Sequence, residues 1–60
     1  MDLSSVAAAL DKAWSEISPG IAAADIEKER ARLAFIVTSL STQARDEGDL
    51  VRKAVQQFRR

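Results

Sequence analysis

The chain has 60 residues, which limits it to one domain with a small hydrophobic core. It contains no Cys and no His, so disulfides are excluded and a structural zinc site lacks its preferred ligands. Nine acidic and nine basic residues cancel, so no net charge draws the chain to nucleic acid or to an anionic membrane. Because 47% of the residues are hydrophobic, we expect a single folded domain over residues 1–60.

The first predicted helix spans residues 3–17. Apolar residues recur there at intervals of four and three positions: Leu3, Ala7, Leu10, Trp14 and Ile17. Asp2 can cap this helix, and Trp14 belongs to its apolar stripe, so we expect the indole to pack in the core. Pro19 cannot continue the helix, and Gly20 allows the chain to turn. Alternatively, Ser18 caps the second helix, with Pro19 in the first helical position.

The second predicted helix spans residues 22–44. Its main apolar side is formed by Ile26, Leu33, Val37, Leu40 and Ala44. Oppositely charged residues three positions apart, such as Glu29 and Arg32, support the helix by only about 0.2–0.5 kcal/mol per pair.

A second packable face of this helix is centred on Phe35. At about 100° per residue, Phe35 lies opposite the main apolar side. The candidate interface residues are Ala24, Ala31, Phe35, Thr38 and Thr42. Small residues around a Phe allow another helix to approach closely, which is typical of a self-association or partner surface. The alternative is that the first or third helix covers Phe35 within one chain.

The third predicted helix is short and spans residues 50–58. The acidic segment that ends at Gly48 predicts a turn, and Asp49 can cap the helix that follows. Together the three elements predict an all-α fold, in which an antiparallel helical hairpin and a short third helix assemble into a helical bundle.

The residues that usually carry chemistry are scarce, so we expect no enzymatic activity. Without His, an activated Ser or Thr needs Lys or a carboxylate as its base, and no such constellation is recognisable. Glu29 is the best-placed acid for a metal site in a bundle, but the companion Glu and His ligands are missing. No phosphate-binding Gly-rich loop is present, since the two glycines lie far apart. We therefore predict no cofactor and no metal.

A basic C-terminal helix suggests an alternative function as a nucleic-acid-binding accessory protein. The candidate phosphate contacts are Arg52, Lys53, Arg59 and Arg60. A helix-turn-helix motif is not supported, because Gln43, Glu47 and Asp49 occupy positions where that motif has apolar residues. The acids would also repel phosphate, so we expect nucleic acid to be an unlikely partner.

The function predicted from the sequence is that of a small, non-catalytic protein–protein interaction or regulatory protein. We expect it to self-associate as a homo-oligomer, or else to bind another protein. No apolar run reaches the roughly 18 residues of a membrane-spanning helix, and the N-terminal residues do not resemble a signal peptide. The sequence accordingly predicts a soluble, cytoplasmic protein.

Overall fold

The fold is all-α, as the sequence predicted. A computed structural model describes residues 2–60 and contains three α-helices: α1, Leu3–Ile17; α2, Ile26–Leu40; and α3, Glu47–Phe58. Two short 3-10 segments, Ser18–Gly20 and Ala23–Asp25, connect α1 to α2. No β-strand occurs among the residues that the structure describes.

Local signals define both ends of α1. The backbone N–H of Ser5 donates to Oδ1 of Asp2 at 2.8 Å, so Asp2 is the N-cap. The helix ends at Ile17, and Pro19 lies in the 3-10 turn that follows. The observed bounds match the predicted ones. The alternative, with Pro19 in the first turn of the second helix, is wrong because α2 begins only at Ile26.

Helix α2 is shorter than the predicted span of residues 22–44. At its start, Ala23–Asp25 form a 3-10 turn, and the side chain of Ile21 packs against the core. At its end, Oγ of Ser41 donates to the C=O of Thr38 at 2.7 Å, and the regular helix stops at Leu40. A hydroxyl that bonds back to the preceding turn competes with the backbone donors, which is why the polar end is not α-helical.

Helix α3 begins three residues earlier than predicted. Its N-cap is Asp46, whose carboxylate accepts the backbone N–H of Asp49 at 2.8 Å, so the prediction that Asp49 caps the helix is wrong. Gly48 lies within the first turn of α3 and has no positive φ, so it does not form the predicted turn. The cap is thus provided by the first of two suitable aspartates.

The chain runs up, down and up through the three helices. Arg32 in the middle of α2 lies over the ring of Phe58 at the end of α3, at 4.8 Å from the ring centroid, whereas Gln43, beyond the end of α2, accepts a hydrogen bond from Lys53 earlier in α3 at 3.4 Å, so these two helices are antiparallel. Lys12 in α1 forms an ion pair with Glu47 at the start of α3, and Glu16, one turn later in α1, lines a groove with α3 residues between Gly48 and Gln56. Helices α1 and α3 are therefore parallel.

The hydrophobic core lies between the three helices and contains small side chains. Its buried members are Ala9, Ala13, Ile17, Leu33, Val37, Leu50, Ala54 and Phe58. Leu33 and Leu50 are fully buried, and each contributes about 1.5–3 kcal/mol of transfer free energy. Since α3 supplies three of the eight core residues, the third helix is an integral part of the bundle. Three of the eight are alanines, so one copy of the chain buries few large side chains.

Candidate interaction surface on α2

The α2 outer face is the exposed side of α2 that carries Phe35. Four of its residues lie in α2, namely Lys28, Ala31, Phe35 and Thr38, whereas the predicted Ala24 and Thr42 lie in the turns that flank the helix, because α2 is shorter than predicted. All six are exposed to solvent. Phe35 is 74% exposed at the middle of the helix, and neither α1 nor α3 covers it. The alternative in which another helix of the same chain encloses Phe35 is therefore wrong.

The spacing of residues along α2 separates this face from the core. Leu33 and Val37, each two positions from Phe35, are buried between the helices. Two residues correspond to a rotation of about 200°, which places Phe35 on the far side of the helix. The residues next to it in space, Ala31 and Thr38, are short and leave the ring standing above its surroundings.

Lys28 is the one charged residue of the α2 outer face. It was not among the interface residues predicted from the sequence. It lies seven residues, or about two turns, before Phe35 and so shares its side of the helix. Among residues 2–60, the ion pairs found at 4.0 Å or less do not involve Lys28. The signal was present in the sequence, because Lys28 continues the same pattern of steps of three and four.

Arg32 lies beside the α2 outer face but is directed away from it. Its Nη1 atom is 3.5 Å from Oε2 of Glu29, and its guanidinium covers the ring of Phe58. This contact closes the end of the core where α2 meets α3, and a cation over an aromatic ring is attracted by the ring quadrupole. Arg32 therefore leaves Phe35 uncovered.

The candidate phosphate contacts are not assembled into one basic patch. Nη2 of Arg52 lies 2.8 Å from Asp49, and Nζ of Lys53 lies 3.1 Å from the same carboxylate. Arg59 and Arg60 are exposed at the end of α3, beyond these ion pairs. The structure thus divides the four predicted residues into two side chains that pair with Asp49 and two that lie at the end of α3.

Asp49 is the most strongly perturbed carboxylate of the chain. The backbone N–H of Arg45 donates to its Oδ2 atom at 3.1 Å. This hydrogen bond, with those from Lys53 and Arg52, lowers the pKa of Asp49 from 3.8 to about 2. One carboxylate thereby joins the loop before α3 to two basic residues of that helix.

A shallow groove of about 330 Å³ lies between α1 and α3 and is open to solvent. Its lining residues include the apolar Val51 and Val55 and the charged Glu16 and Arg52. The spacing of residues in the sequence does not predict this groove, because it combines residues of two helices whose relative position is set only by packing. Its contents do not form a recognisable catalytic arrangement.

Trp14 packs against the core, as predicted, and is covered on one side by a charged residue. The guanidinium carbon of Arg30 lies 5.7 Å from the indole centroid, and Nη2 of Arg30 lies 3.1 Å from Oδ1 of Asp11. A cation at this distance from a Trp ring is favourable. Arg30 therefore joins α2 to α1 at the edge of the core.

The described residues offer few features of other kinds of site. In residues 2–60, no three acidic side chains come together as a group that could hold a metal ion. None of the three helices has both the length and the apolar character that crossing a bilayer requires. Ser15 and Ser41 donate their hydroxyls to backbone carbonyls of the preceding turn, at 3.0 and 2.7 Å. These serines are thus engaged within their own helices.

Comparisons of the chain with models of protein families, with curated proteins and with solved structures gave no match.

Proposed function

We propose that this chain is a small, non-catalytic interaction protein that self-associates through the α2 outer face. The observation that carries the proposal is the exposure of Phe35, which is 74% accessible at the centre of a helix whose opposite side carries the buried Leu33 and Val37. An exposed aromatic ring is costly in water, and Phe can bury about 150–250 Å² in a contact.

The neighbours of Phe35 support an interface. Single exposed apolar residues are ordinary on protein surfaces, so exposure alone does not identify a site. Here, however, the positions one turn before and after Phe35 are Ala31 and Thr38, and both are exposed. Short side chains on both sides of a ring allow the backbone of another helix to come close. The face therefore has a ring that protrudes from it and, beside that ring, space for a protruding side chain of a second helix.

The size of the chain gives a reason for a second copy as the partner. Domains of about 60 residues bury only about 60% of their unfolded surface, and many small folds gain stability from disulfides, metals or oligomerisation. This chain has no Cys and no His, and three of its eight buried core residues are alanines. Self-association is the stabilising device that this composition leaves.

The test is the mass of the protein in solution across a dilution series, measured by light scattering together with far-UV circular dichroism. We expect a mass that rises above that of one chain with concentration. Phe35→Glu should abolish this rise and keep the helical signal, because residue 35 does not contribute to the core of one chain. Glu has a high helix propensity, so a loss of association in this variant would not result from a weaker helix.

Leu3→Glu is the matched control. Leu3 is another large apolar residue, 86% exposed, at the start of α1 and outside the α2 outer face. This variant should associate as the unmodified chain does. A chain that remains monomeric at millimolar concentration would refute the proposed function, and an equal effect of both variants would refute the assignment to α2.

A further inference from the structure

We infer that two copies of the chain pair along α2 in an antiparallel orientation, with Phe35 of one copy against Ala31 of the other, and that Lys28 sets this orientation. The inference rests on the proposed self-association and specifies its geometry. Three observations support it: the spacing of the face, the position of its one charge and the contacts of Arg32.

The spacing of the α2 outer face is the same in both directions. Within α2, from Lys28 to Thr38, the steps are three, four and three residues. A two-fold axis at the level of residue 33 therefore matches each of these positions of one helix with a position of the other. It places Phe35 opposite Ala31 and Lys28 opposite Thr38, and it brings the turn that holds Ala24 toward the turn that holds Thr42. Both large rings then face a small residue, as close packing requires.

A parallel orientation gives a poorer arrangement of the same residues. Each residue then faces its own copy, so two rings of Phe35 meet at one level and two Ala31 methyl groups leave space at the next. The two Lys28 side chains also meet, and like charges at matched positions repel. In coiled coils, a single polar Asn or Lys at the contact between two helices specifies their register. In the antiparallel pair, Lys28 lies instead beside the hydroxyl of Thr38.

The residues on either side of the contact line between the two α2 helices, called the seam below, are compatible with the antiparallel pair. Arg32 is the charged residue nearest the two-fold axis, where it approaches its own copy. Glu29 lies 3.5 Å from its guanidinium, which also covers Phe58, so the charge of Arg32 is compensated and directed toward α3. On the other side of the seam lies Ala34, which is partly buried and small enough for a close approach.

The expected contact is small. A helix of 15 residues is about 22 Å long, and Phe35 is the only large apolar side chain of the face. The pair therefore buries less than the roughly 1,200–2,000 Å² of a standard interface. We accordingly expect a weak dimer whose copies exchange readily, which permits experiments on mixtures of two variants.

The test uses spin labels, since a chain without Cys carries a label only where one is introduced. Ala24→Cys and Thr42→Cys place a nitroxide at either end of the face and keep Lys28, Ala31 and Phe35 intact. Electron paramagnetic resonance then measures the distance between labels on two copies, at a concentration where light scattering shows dimers.

In the antiparallel pair, labels at the same position lie at opposite ends of the pair, separated by at least the length of α2, about 22 Å. A mixture of the two variants should instead show labels about 10 Å apart, the usual distance between packed helices. A parallel pair reverses this pattern. In a Phe35→Glu background, both distances should disappear. Lys28→Ala should add a fraction with the parallel pattern, because the repulsion that disfavours it is gone.

Each other outcome identifies what has failed. Dimers in which like labels are about 10 Å apart, or in which neither pattern occurs, would overturn the antiparallel register and leave the self-association standing. A Lys28→Ala variant that keeps the antiparallel pattern alone would overturn the role of Lys28. A chain that forms no dimers at all would overturn the proposed function together with this inference.

Discussion

Leu33 and Phe35 lie two residues apart on α2 and point away from the helix axis in opposite directions. Leu33 is fully buried, whereas Phe35 is 74% exposed. A helix advances by about 100° per residue, so two steps carry a side chain to the far side. Helix α2 therefore packs one apolar side against α1 and α3 and presents another to solvent.

Truncation of these two residues should have very different effects on a single chain. Leu33→Ala removes a fully buried side chain and leaves a cavity, so the free energy of unfolding should fall by about 2–5 kcal/mol. Phe35→Ala should change it by less than about 0.5 kcal/mol in the monomer, as is usual for exposed positions. Urea unfolding followed by circular dichroism, at a dilution where the chain is monomeric, measures both. Similar losses would mean that Phe35 packs within the chain.

The carboxylate of Asp49 should make the stability of the protein depend on pH in the acid range. Its pKa is about 2 in the folded chain, below the ordinary value of 3.8, because the Arg45 N–H, Lys53 and Arg52 bond to the charged form. The unfolded chain thus takes up this proton more readily. The stabilisation is complete above the unfolded pKa of 3.8 and is lost as the pH falls toward 2.

Asp49→Asn should flatten this part of the pH profile. Thermal unfolding midpoints measured from neutral pH to pH 2 provide the test, and the variant should be less stable at neutral pH but lose less on acidification. The N-cap Asp2 also has a lowered pKa, because of its hydrogen bond from Ser5, so some acid dependence should remain. Asp25→Asn is the control, because it removes a carboxylate from the turn before α2 and leaves Asp49 unchanged. An acid profile unaltered by Asp49→Asn would contradict the assignment.

The sequence alone predicted those parts of the structure that depend on contacts between residues close together in the chain. The first helix was predicted at its observed bounds because Asp2 and Pro19 act locally. The apolar period of α2 also separated Leu33 from Phe35 correctly. The start of α3 was missed because Asp46 and Asp49 are both suitable caps, and the choice between them depends on the long-range pairing of Glu47 with Lys12 and on the contacts of Asp49. The spacing of residues in the sequence does not show which of two competing N-caps forms.

The contacts made by basic residues could not be predicted from the sequence. Arg32 was expected to pair with Glu29, and it does, but its position over Phe58 depends on how α3 packs against α2. Arg52 and Lys53 were considered as phosphate contacts, yet Asp49 holds both. The position of Arg32 over Phe58 can be predicted only from the tertiary structure. The pairing of Arg52 and Lys53 with Asp49 can be predicted only if it is known which aspartate caps α3.

The cation over Trp14 gives a prediction that fluorescence can measure. Arg30→Ala removes the guanidinium that covers the only Trp, so the emission should shift to longer wavelength and acrylamide should quench it more strongly. The loss in stability should be about 0.5–1 kcal/mol. Asp11→Asn is the control, since it removes the ion pair at 3.1 Å and keeps the guanidinium. Equal spectra for the unmodified chain and Arg30→Ala would show that Arg30 does not cover the indole.

Binding to nucleic acid should be weak and should depend little on salt. Asp49 holds Arg52 and Lys53, so Arg59 and Arg60 are the members of the candidate set that remain for phosphate. Two phosphate contacts correspond to a slope of about −1.8 in a plot of log K against log salt concentration. Anisotropy of a labelled duplex, titrated between about 50 and 200 mM salt, measures this slope.

A slope near −3.6 would mean that all four basic residues bind phosphate and that Asp49 releases two of them, since each contact adds about −0.9. That result would favour nucleic-acid binding as the role of α3. The double variant Arg59→Gln with Arg60→Gln separates the two cases. It should remove nearly all binding if only these residues are available, and about half of the slope if Arg52 and Lys53 also take part. Phe35→Glu serves as the control, because it lies on another helix and should leave the slope unchanged.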